Sequence, residues 1–103
     1  MKEIKVLVER IGDELTDAER YAKLALACRD ENSELASLYL RLSDEEMGHM
    51  DALHRAAAQL IGKYRREHGE PPEAMLAVYN YLHDKHIEQA KAVRVLQEMC
   101  RTS

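Results

Sequence analysis

Between Ser43 and Asp51 an apolar helical stripe turns acidic and then acquires an imidazole. Taken every third or fourth residue, the stripe runs Leu35, Tyr39, Leu42, Glu46, His49, Leu53, Ala56 and Leu60, the spacing of one face of an amphipathic helix. Glu46 and His49 stand where two apolar residues belong. A carboxylate and an imidazole on a core-facing stripe are costly unless something compensates them. A fold that accepts this segment must supply that compensation.

The rest of the chain points to helices as well. With 103 residues it is one domain, spanning 1–103, large enough for a core and small enough for a partner subunit to help. Ala, Leu, Glu, Arg and Lys dominate, with four Gly, two Pro, no Trp and no Phe. The fold class read from this is all-α, a long antiparallel helical hairpin plus a third helix. The first helix, about 2–28, carries the stripe Ile4, Leu7, Ile11, Glu14, Ala18, Tyr21, Ala25 and Cys28. Glu14 interrupts it as Glu46 interrupts the next, whereas Glu19 falls off the seam and belongs on the surface. A polar break, Arg29–Ser33, offers Asn32 or Ser33 as N-cap. The second helix, about 33–66, is therefore antiparallel to the first. Gly69 suits a left-handed C-cap and Pro71-Pro72 separates the second helix from the third, about 72–100. Its stripe is Met75, Tyr79, Leu82, His86, Gln89, Val93, Leu96 and Cys100.

Composition narrows the partners. A formal net charge of −4 with no basic block argues against general nucleic-acid binding. No run of about 18 apolar residues exists to span a membrane. The N-terminus is charged from Lys2 and has no apolar signal core. Cys28 and Cys100 are not in a CxxC arrangement, so reduced thiols and a cytoplasmic location are expected.

Folding the hairpin at its break brings the polar interruptions together. Glu14 lies about 17 residues before the turn and the Glu46/His49 pair about 14 to 18 after it, so at roughly 1.5 Å per residue they share one level. Two carboxylates and an imidazole are ligands suited to iron or manganese, and a dication would offset the burial of the acids. The other reading is a structural polar network; the matching height of an acid on each long helix favours metal. Di-iron carboxylate bundles take a Glu from each of two helices and Glu-x-x-His from each of two others. One chain supplies half of that, so the metal reading requires a twofold dimer. Tyr21, two turns from Glu14, is placed either to hydrogen-bond a metal carboxylate or to pack in the core. His86 and Glu88 of the third helix are placed either as extra ligands or in packed and surface roles. His54 and His68 fall off the seams as solvated residues, and Met47, Met50, Met75 and Met99 are core filler.

At this point the residues carry a family resemblance. Glu14-Leu-Thr-Asp-Ala-Glu-Arg-Tyr21 resembles the first-helix ligand segment of the ferritin-like superfamily, in which a Glu precedes a Tyr by two turns. Asp44-Glu-Glu-Met-Gly-His49 resembles its second-helix Glu-x-x-His segment. The similarity covers roughly residues 4 to 62 and is to short encapsulated ferritins, rubrerythrin-type hairpins and short phage-encoded ferritin-like proteins. It implies a ferritin-like four-helix bundle completed by dimerisation and a di-iron site built across the interface from two halves. In it Glu14 and Glu46 are iron carboxylates, Glu46 bridging, and His49 is the nitrogen ligand. The implied activity is that of a ferroxidase or related oxidoreductase using O₂ or peroxide. The chain departs from rubrerythrins in lacking a Cys-x-x-Cys pair, from full-length ferritins in lacking a second hairpin, and its third helix has no counterpart in the resemblance. The competing reading is a non-catalytic helical dimerisation or adaptor module with a ferritin-like fold.

Overall fold

In the computed structural model, which describes residues 2–101, three helices follow one another: α1 (Lys2–Cys28), α2 (Ser33–His68) and α3 (Glu73–Arg101). Met1 and the Thr102–Ser103 end lie outside the described residues, and no strand occurs among those described. The bounds agree with the periodicity, α2 running two residues further than expected and α3 beginning and ending one residue later. Asn32 is the N-cap of α2, its side-chain oxygen accepting the Leu35 N–H at 3.0 Å. Gly69 ends the helix at φ 78° and ψ −163°, a conformation open essentially to glycine alone, and its N–H returns to the Arg65 carbonyl at 3.0 Å. The Pro72 carbonyl then accepts the Leu76 N–H at 3.1 Å and starts α3.

The helices run up, down and up in a rod of 55 × 18 × 18 Å, whose long axis is set by the 36 residues of α2. α1 and α2 form the main contact; α3 lies chiefly on α1, parallel to it, and touches α2 sparsely. At one end the Arg29 Nη1 donates to the Met99 carbonyl at 2.9 Å and the Cys100 thiol to the Ala22 carbonyl at 3.7 Å. Cys28 and Cys100 form no disulfide. Among the described residues no helix is long and apolar enough to cross a membrane.

The core is Ile11, Leu15, Ala18, Met47 and Val93, with Met50, Leu53 and Ala90 packed against it. Above it a run of small residues on α1, Ala18, Ala22 and Ala25, is fully buried. A buried polar layer crosses this region and joins all three helices. The Ser43 hydroxyl of α2 donates to the Ala18 carbonyl at 2.7 Å, and the Gln97 amide of α3 donates to Ser43 Oγ at 2.9 Å. Each group meets a partner, so the layer ties the helices together at no desolvation penalty left unmet.

The stripe of α1 follows the sequence reading closely: Ile4, Ile11, Glu14, Ala18 and Ala25 are buried. That of α2 is rotated by about one position. The residues that turn fully into the three-helix core are Ser43, Met47 and Ala57, not Leu42 and Glu46, while Leu53 packs against its edge. The reason is α3, whose packing draws inward the side of α2 bearing Met47 and Ala57. Met99 is 49% exposed and Met47 is buried, so the methionines are not uniformly core filler.

Candidate metal centre

The expected Leu35-to-Leu60 stripe therefore lies on the flank of the hairpin. Leu35, Leu42, Ala56 and Leu60 are half-buried, as are Leu7 and Tyr21 of α1, whereas Leu53 packs against the core and Cys28 lies near Cys100 of α3. α3 covers the other side: it meets α1 at Val8 and Gly12 and α2 at Asp44 and His54. Glu14, Glu46 and His49 sit midway along the flank left uncovered.

The structure brings these three residues together. Each offers a ligand atom within 4.8 Å of the others'. His49 Nδ1 is 3.5 Å from Glu14 Oε2 and 3.8 Å from Glu46 Oε1. α1 presents Glu14 toward α2, and the i, i+3 spacing of Glu46 and His49 puts both on the facing turn. Their burial is graded: the Glu14 side chain is 12% exposed, Glu46 20% and His49 61%. The imidazole is thus at the open edge of the group rather than in a seam, because the rotation of α2 carries position 49 outward.

Two carboxyls this close cannot both ionise freely. A hydrogen bond from Glu46 holds the Glu14 carboxyl below its ordinary value, with help from His49 and Arg10 against the effect of burial. The same bond, then burial, then the Glu14 charge push Glu46 up to about 7. Near neutral pH the pair behaves as one carboxylate and one carboxylic acid sharing a proton. A dication placed there would displace that proton and offset the penalty on the second carboxylate.

Two neighbours were missed in the sequence. Arg10 Nη2 reaches Glu14 Oε1 at 3.5 Å, and Asp17 adds its negative charge to the field at Glu46. Arg10 was legible as the i−4 neighbour of Glu14; Asp17 acts across the helix pair and leaves no spacing signal. The other expected residues fall elsewhere. Tyr21 stacks on Tyr39 with ring centres 6.3 Å apart. His86 packs over Gly12 on the α3 side, and Glu88 is exposed and pairs with Lys91 at 3.6 Å, so neither belongs to the group. Glu19 pairs with Lys23 at 3.2 Å, as its surface position implied. Comparison with family models, with curated proteins and with solved structures finds no match to this chain.

Proposed function

We propose that the protein is a ferritin-like di-iron carboxylate protein whose metal centre is completed by a second copy. The observation that carries this reading is the convergence of Glu14, Glu46 and His49 to within 4.8 Å on the one flank of the hairpin that α3 leaves uncovered. The donor set fits the group: carboxylate oxygens with an imidazole nitrogen suit iron or manganese, and the shared proton marks a pair of acids strained by its own charge. Glu14 would hold one ion, Glu46 would bridge, and His49, exposed at the rim, would close on the ion.

Three donors are half of a two-ion site, and the half-buried Leu35, Leu42 and Leu60 along the same stripe are half of a core. A twofold axis over this flank supplies both halves at once: two hairpins make a four-helix bundle, with each α3 on the outside. A bound iron pair supplies one-electron steps between Fe(II) and O₂ or peroxide. The residues of this chain fix its geometry, hold the proton shared by Glu14 and Glu46 until a cation replaces it, and exclude water with the surrounding leucines. The activity is then that of a ferroxidase-type oxidoreductase.

A non-catalytic dimerisation module with the same flank is the second reading, favoured by the contacts of Glu14 to Arg10 and His49, which partly neutralise it with no ion. Iron analysis of the purified protein, combined with its mass by sedimentation, separates the two. About two irons per dimer supports the first reading; a metal-free dimer after reconstitution with Fe(II) supports the second.

A further inference from the structure

Between the three helices, whose α2 and α3 touch only sparsely, opens an apolar cavity of about 360 Å³. Three of the five histidines of the chain line it, with one carboxylate. They come as two pairs with the same spacing. Asp51 and His54 stand i, i+3 on α2, and His83 and His86 stand i, i+3 on α3, so each pair shares one face of its helix. The rings of His54 and His83 meet across the gap, centres 5.1 Å apart and edge to face at 72°. Two imidazoles bound by one tetrahedral zinc, with Zn–N about 2.0–2.1 Å, have ring centres about 5 Å apart. The separation of His54 and His83 leaves room for one ion between the two rings once they turn their nitrogens toward it.

We propose that Asp51, His54, His83 and His86 form a second cation site, rich in imidazole, which takes one zinc-class dication in tetrahedral coordination and ties α3 to α2. The donor set differs in kind from that of Glu14, Glu46 and His49: imidazoles with a single carboxylate select zinc, cobalt, nickel or copper over the hard cations. The four donors are more spread than the hairpin group; His54 and His83 are exposed and close on an ion by side-chain rotation. His86 is the anchor, half-buried over Gly12. Sparse packing between α2 and α3 explains what the ion does: it supplies a link that side-chain packing does not.

The site is tested in the full chain with Glu14→Leu and His49→Ala installed, so that the hairpin group cannot bind and the outcome is independent of the di-iron reading. Titration with Co(II) as the spectroscopic probe, and with Zn(II) in calorimetry, should give one saturable site per chain, with the intense visible absorption of tetrahedral cobalt and a higher melting temperature. Adding His83→Ala, at an exposed position, should remove the absorption, the saturable zinc binding and the thermal gain together while leaving helicity unchanged; His54→Ala should do the same. The proposal is overturned if this background binds no zinc saturably, or if it binds zinc equally well with His54 and His83 replaced.

Discussion

His49 Nδ1 lies 3.5 Å from Glu14 Oε2, across the gap between two helices that reach this point 35 positions apart in the chain. The contact sits on the flank of the hairpin, not inside the three-helix core, and this placement determines how each member of the group responds to substitution.

Replacing His49 with Ala should abolish tight Fe(II) binding at almost no cost in stability. A seam imidazole would leave a cavity, but His49 is 61% exposed. The loss should therefore stay within about 0.5 kcal/mol, as for an ordinary surface change. Urea denaturation of the apo forms and iron stoichiometry check the two halves of the expectation; unchanged stoichiometry removes His49 from the site.

Glu14→Leu should raise the melting temperature of the apo protein and erase its response to Fe(II) or Mn(II). Leucine at this 12%-exposed position adds apolar burial, on the order of 1–3 kcal/mol, which outweighs the hydrogen bond that Glu14 accepts from Glu46. Arg10, which loses its partner, is itself 58% exposed and stays solvated. Wild type should gain stability with metal by mass action on the folded form. Melts in chelator and in metal decide: a lower apo melting temperature with the metal response retained takes Glu14 out of the metal reading.

The shared proton makes stability depend on pH with a definite sign. Glu46 is raised from 4.5 to about 7 in the fold, so the stability it contributes is complete below about 4.5 and is lost as pH rises through about 7. Glu14, held low, contributes stability that is lost only as pH falls through its lowered value, outside this window. His86, held below 6.5, also acts on the acid side, losing its contribution as pH falls. Between pH 6.5 and about 8 the apo melting temperature should therefore decline, and Glu46→Gln should flatten the decline. An equal slope in the variant would assign the decline to another group.

A mass of two chains, or an even multiple, is expected in solution at micromolar concentration. Leu38 is 38% exposed one turn from Leu42 on the uncovered flank, so Leu38→Lys should halve the mass while leaving helicity intact. Sedimentation equilibrium with and without iron reads this directly. A wild-type mass of one chain with iron present would rule out the shared centre.

Ser43→Ala tests the layer that joins the three helices. The hydroxyl donates to Ala18 at 2.7 Å and accepts from Gln97 at 2.9 Å, all fully buried. Its removal strands the Gln97 amide N–H, while the Ala18 carbonyl keeps its place in the α1 ladder, a cost of about 1–3 kcal/mol. Ser43→Ala combined with Gln97→Leu should recover part of that loss, since both partners are then apolar. Denaturant midpoints for the three proteins check it.

The sequence by itself determined the helices, their ends and the level of the polar group. Periodicity, Asn32 and Gly69 are local signals, and helical rise is fixed, so counting residues from the turn was enough to bring Glu14 beside Glu46 and His49. The Ser43–Gln97 layer and the meeting of His54 with His83 were not legible, because each joins α2 to α3 and nothing in the spacing of one helix reports its rotation against another. That rotation also decided which side of α2 is core. A helix with apolar residues on two adjoining faces can turn either inward, and only the packing of α3 against α1 selected Met47 and Ala57 over Leu42, leaving Glu46 and His49 on the open flank.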